Sequence, residues 1–142
     1  MKHIVSILCL GLFFAAHLYA QSPSDTKAVT KAIHDFAKAG DRQDVASLEQ
    51  LLDSNYRVVM NQLFGSEGAA VLPREAYLQK IRNKEFGGDK RKVTIEDLQI
   101  NGKNASAKVT LAGSKMTMVS FFQLICNKDG EWKLIQDLPT VI

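Results

Sequence analysis

Two hydrophobic rhythms run along this chain, and one gives way to the other near Arg91. Upstream, apolar residues recur at helical spacing. Val29, Ile33, Phe36 and Ala37 share a face at i, i+4, i+7 and i+8, which predicts a helix over 24–39. Ser24 is its expected N-cap, Asp25 suits the positively polarised first turn, and Gly40 is the expected stop. A shorter helix is predicted from Asp44, with Val45, Leu48, Leu51 and Leu52 as its stripe. Residues 55–63 alternate and read as a strand; Gly65-Ser66-Glu67-Gly68 turns the chain into a short returning strand over 69–72. Pro73 suits the first position of a third helix, where its missing N–H removes nothing. Tyr77, Leu78 and Ile81 are that helix's predicted buried side, and Gly87-Gly88 its end.

From Arg91 the period is two. Val93, Ile95, Leu98 and Ile100 make a strand whose parity slips between Ile95 and Leu98, the mark of a bulge. Asn101-Gly102 is a strong hairpin signal, and Ala105, Ala107, Val109 and Leu111 alternate up to Gly113-Ser114. Residues 116–126 are apolar on both faces, so both faces are expected to be covered. Asp129-Gly130 turns into a last strand over 131–138. The predicted order is helix, helix, strand, helix, then four antiparallel strands, an α+β domain.

The first twenty residues follow neither rhythm. Lys2, an apolar stretch from Ile4 to Ala16 and a small residue at Ala20 read as a signal peptide cut after Ala20. The stretch is too short to span a bilayer comfortably, and polar Gln21-Ser22-Pro23-Ser24 follows at once. The expectation is an exported protein, periplasmic or secreted, with a single domain over 21–142 and no stable membrane insertion after cleavage. Composition fits: 142 residues, 46% apolar and 23% charged, exclude a disordered chain, a coiled coil and a disulfide-stapled miniprotein. A net charge of +3 does not predict nucleic-acid binding. Beyond Ala20 the chain holds one histidine, His34, and one cysteine, Cys126. No internal disulfide and no multi-His or Cys-cluster metal site can be built from these, and no cofactor is expected.

Three local sequences carry a resemblance. Ala39-Gly40-Asp41 after the first helix, Leu48-Glu49-Gln50-Leu51-Leu52-Asp53 before the first strand, and Asp129-Gly130-Glu131-Trp132-Lys133-Leu134 near the end stand in this order and spacing. Together they resemble the nuclear transport factor 2-like (cystatin-like cone) superfamily over about residues 25–138, and most of all its exported bacterial lumazine-binding subgroup. The resemblance implies a curved, mostly antiparallel sheet wrapped around three helices, a conical pocket between them, and a homodimer through the outer sheet face. Ketosteroid isomerase members place a Tyr on the first helix, an Asp on the first strand and an acid on the long strand. Ile33, Met60 and Phe122 stand at those positions here, and none can transfer a proton. Related members often carry His on the tryptophan strand, where this chain has Gln136 and Leu138 on the parity of Trp132.

The candidate ligand-binding residues are therefore Ile33, Met60, Tyr77, Met118, Phe122 and Gln136, with Met and aromatic walls suited to an apolar ligand and the Gln136 amide to orient it. Asp137, on the opposite parity to Trp132, is expected to reach solvent or a second copy. Thr117, Val119, Phe121, Gln123 and Ile125 form the expected dimer face. His34 is read as a surface or boundary residue and Cys126 as a small buried hydrophobe. The basic stretch over 80–92 is either a solvated loop or an anion site at the pocket rim, and Asn104-Ala105-Ser106 is a weak glycosylation sequon. The leading reading is an exported homodimer, non-catalytic or weakly catalytic, that binds a small, largely apolar molecule. The alternatives are a lyase, isomerase or hydrolase using Asp137 or Tyr77, and a protein-interaction module.

Overall fold

The computed structural model describes residues 22–142, so the signal peptide read over 1–20 lies outside the described residues. The elements run α1 (Pro23–Asp41), α2 (Val45–Leu51), β1 (Leu52–Asn61), β2 (Ala69–Pro73), α3 (Arg74–Arg82), β3 (Lys92–Asn101), β4 (Asn104–Ala112), β5 (Thr117–Cys126) and β6 (Trp132–Val141). The strands form one sheet in the order β2-β1-β6-β5-β4-β3. All neighbours are antiparallel except β1 and β6, which run parallel and so join the N-terminal and C-terminal halves. The helices pack on one sheet face, and this is the α+β arrangement expected.

Local chemistry explains where the elements begin and end. Ser22, not Ser24, is the N-cap of α1, one residue before a proline whose fixed φ suits the first helical turn. Gly40 does not stop α1; it is buried within the helix. A Cβ there would meet the Arg91 guanidinium at 2.9 Å, so the glycine serves close packing rather than termination. Asp44, near which the second helix was expected to begin, is the N-cap of α2 and accepts from the Ser47 N–H at 3.0 Å. Leu52 leaves the helical stripe and opens β1. Pro73 is the N-cap of α3 rather than its first residue, and α3 ends at Arg82, well before Gly87.

Two irregularities in the sheet decide which side chains reach its inner face. The parity slip in β3 falls between Glu96 and Gln99, with Asp97 at a left-handed φ of +50°, where the sequence pattern places it. A second slip, in β6, was not expected. Phe122 pairs with Asp137 and Gln123 with Gln136, but Leu124 pairs with Leu134, so Ile135 is an extra residue. A one-residue slip sends every later side chain of a strand to the other face.

The core lies between the helices and the inner sheet face. The predicted faces of α1 (Val29, Ile33, Phe36, Ala37) and α3 (Tyr77, Leu78, Ile81) are buried there. Phe36 sits at its centre, edge-on to Phe122 at 5.4 Å and stacked on Tyr77 at 6.2 Å between ring centroids. Each such side chain contributes roughly 1.5–3 kcal/mol through burial.

Candidate functional site

Between α1, α3 and the inner face of β1, β4, β5 and β6 a cavity of about 290 Å³ remains open. Its deep end is made by buried Phe36, Val58, Tyr77, Leu111 and Asp137; its mouth by Phe64, Met116, Lys84, Glu85 and Lys115, all exposed. Met60 and Met118 line it between these levels.

The acid at the deep end is the chemical feature of the site. Asp137 is 8% exposed, and burial pushes its carboxyl up to about 7. The Ser120 hydroxyl and the Arg91 guanidinium favour the charged form and offset part of that shift. The Ser120 hydroxyl stands near the carboxyl without the geometry of a full hydrogen bond, and Asp137 Oδ1, Ser120 Oγ and Tyr56 Oη are all buried without a well-formed hydrogen bond among the described residues. Tyr56 and Tyr77 meet edge-on at 5.3 Å. Burial, reinforced by the Asp137 charge, raises both phenols well above their ordinary range, so both stay neutral donors. Buried polar groups are normally paired, and of the four unpaired ones among the described residues, Arg74 Nε being the fourth, these three call for an explanation.

The mouth is built in the opposite way, with its acids fully engaged. Asp41 on α1 accepts from the Arg91 backbone N–H at 3.0 Å and from Arg91 Nε, while Arg91 Nη2 reaches the Ala37 carbonyl at 3.0 Å. Asp89 accepts from the Ser114 hydroxyl at 2.6 Å and from the Lys115 N–H at 3.0 Å, which holds its carboxyl well below the usual carboxylate range. This bond leaves no room beside Gly113, where a Cβ would lie 2.0 Å from Asp89 Oδ2. Glu85 is bonded by Lys80 Nζ at 2.7 Å and by Asn83 Nδ2 at 3.1 Å. Phe64 and Phe86 approach to 6.2 Å across the opening.

Of the six candidates, the structure brings Met60, Tyr77 and Met118 together on the cavity wall. Ile33 and Phe122 are fully buried behind it, Phe122 covered by Phe36. Gln136 is corrected outright. The β6 bulge places it opposite Gln123 and Arg57 on the outer face, and Asp137, expected outside, faces the cavity instead. The signal for this was present: Leu134-Ile135 breaks alternation between Lys133 and Gln136 as Ile95 to Leu98 does in β3. Phe36, Arg91 and Ser120 were missed because their roles depend on long-range neighbours. His34 is exposed, and Cys126, half-buried, takes a weak contact from Lys103 Nζ at 3.6 Å. Among the described residues no group of three His, Cys, Asp or Glu could hold a metal ion, and no helix is long and apolar enough to cross a membrane.

Six strands wrapped around helices with an open cavity between them define an NTF2-like fold, and solved structures agree. An NTF2-like protein from Silicibacter pomeroyi matches with a TM-score of 0.73 at 16% identity, covering 84% of this chain and 97% of its own. One from Shewanella baltica matches at 0.74 and 16%, covering 87% and 98%. Both are described as of unknown function. A ketosteroid isomerase-like protein from Erwinia carotovora atroseptica matches at 0.67 and 14%, covering 85% and 98%. No curated protein matches the chain. A family model described as "Putative lumazine-binding" matches residues 24–138, and the chain belongs to that family.

Proposed function

We propose that this chain binds a small, largely apolar molecule in the cavity, with the ring system against Met60, Tyr77 and Met118 and one polar edge on Asp137. The observation that carries this reading is the unpaired, buried Oδ1 of Asp137 beside an open chamber. A neutral carboxyl presents a donor and an acceptor side by side, which complements an N–H next to a carbonyl. Lumazine, the ligand in the family's description, carries such an edge on a flat bicyclic ring. The test is titration of the purified protein with lumazine, beside native mass spectrometry of ligand retained from gentle purification. Binding unaffected by Met118→Trp, which fills the chamber, would overturn the reading.

Two further properties belong to it. The order of charge, apolar stretch and small residue before Gln21 supports export, and N-terminal sequencing of the exported protein should begin at Gln21. Phe121, 54% exposed on the outer face beside Gln123, supports a homodimer through that face, and Phe121→Glu should move the scattering mass from dimer to monomer.

A second reading has one observation in its favour. A carboxyl raised to about 7, beside neutral phenols, is suited to proton transfer at physiological pH. Turnover of small carbonyl compounds, abolished by Asp137→Asn and reduced by Tyr77→Phe, would establish it over plain binding.

A further inference from the structure

The two ends of the cavity differ in charge. Both acids that line the mouth are engaged, Glu85 by Lys80 and Asn83 and Asp89 by the 114–115 backbone and the Ser114 hydroxyl. Two ammonium groups lining the same mouth have no acidic partner among the described residues. The Lys84 ammonium has no hydrogen-bond or ion-pair partner among the described residues, and the Lys115 ammonium has only a long hydrogen bond to the Gly88 carbonyl at 3.4 Å. Their backbones are nevertheless held in place. Lys84 lies one residue past the Asn83 C-cap position that ends α3, at a left-handed φ of +62° with its N–H bonded to the Ile81 carbonyl, and Lys115 is fixed by the Asp89 clamp. Half-buried Met118 and the Phe64–Phe86 pair lie beside these charges and lower the local dielectric, so an anion there is attracted more strongly than at an open surface.

We propose that the ligand of this cavity is a compact ring-bearing organic anion, its ring in the chamber and its carboxylate or phosphate at the mouth between Lys84 and Lys115. This rests on the small-molecule reading above and adds the ligand's charge and direction. The volume of about 290 Å³ lies at the lower end for ligand pockets and sets the scale at a small fused ring. A charge-assisted contact to an uncommitted ammonium fixes which end of the ligand faces out, while the apolar wall holds the ring.

The test compares three probes that share one ring, 2-naphthoate, 2-naphthyl phosphate and neutral 2-naphthamide, by naphthalene fluorescence on the exported protein. At least one anion should bind about tenfold more tightly than the amide, and the preference should shrink as salt is added. In Lys84→Gln/Lys115→Gln, both exposed positions, the preference should vanish while the amide's affinity changes less than about twofold. Whichever anion binds better identifies the head group, and either supports the proposal. Equal affinity of all three probes for the wild type, or an anion preference kept in the double variant, would overturn it and leave the small-molecule reading standing. Failure of all three to bind folded protein would overturn both.

Discussion

The deep end of the cavity holds one carboxyl, Asp137, and the mouth holds two, Glu85 and Asp89, yet the two ends treat them in opposite ways. Asp89 at the mouth spends its oxygens on the Ser114 hydroxyl and on backbone N–H groups, and its carboxyl is held far below the usual range. Asp137, deep in the fold, has an oxygen with no partner, and its carboxyl is pushed up to about 7. A carboxylate that accepts several hydrogen bonds stabilises a loop and is unavailable for anything else. A buried one left unpaired destabilises the fold and is available to a ligand or a proton. The contrast separates the part of the cavity that is scaffold from the part that is free to act.

A matched pair of substitutions tests the contrast through packing. Phe36→Ala at the deep end should destabilise by roughly 3–5 kcal/mol, because Phe36 is 3% exposed and touches Phe122, Tyr56 and Tyr77. Chemical denaturation would measure it, and a loss below about 1 kcal/mol would mean that the deep end is loosely packed.

The two acids should then oppose each other in pH. Asp137 has its folded-state value raised from 3.8 to about 7. Between those values the unfolded chain loses its proton while the folded chain keeps it, so stability falls as pH rises, by roughly 4 kcal/mol in total at 1.36 kcal/mol per unit. Asp137→Asn should remove that slope, matching the wild type near pH 4 and exceeding it near pH 8. Asp89 has its folded value lowered, so its contribution is present above 3.8 and is lost as pH falls through the folded value. Asp89→Asn should therefore flatten the acid limb of the same profile and leave the neutral region's slope unchanged. Its effect is the smaller one because the group is solvated. Smaller still, Phe64→Ala at the mouth should alter stability by no more than ~0.5 kcal/mol, since the ring is 63% exposed. If Phe64 instead proved as costly as Phe36, the mouth would be part of the core.

Legibility in the sequence followed the same division. The helix faces could be read because burial on a helix repeats over several turns, and Val29, Ile33, Phe36 and Ala37 all obey one period. The bulge in β3 could be read because apolar residues flank it on both sides. The bulge in β6 shows only as the neighbouring pair Leu134-Ile135, and reading past it exchanged the faces of Gln136 and Asp137. Three wall residues, Met60, Tyr77 and Met118, were found from parity and from the superfamily resemblance, whereas Ile33 and Phe122 were on the correct side but one layer too deep.

The amino-acid order by itself determined the element sequence, the α+β class, the faces of α1 and α3 and the family, because each rests on local periodicity or on short spaced motifs. Only the tertiary structure decided which acid faces the cavity, which mouth charges are engaged and why Gly40 and Gly113 are glycines. Those outcomes depend on strand register and on contacts between residues far apart in sequence, such as Arg91 with Asp41 and Asp89 with Ser114. Register is set by pairing across the whole sheet, and a single extra residue in β6 reversed the reading of the site.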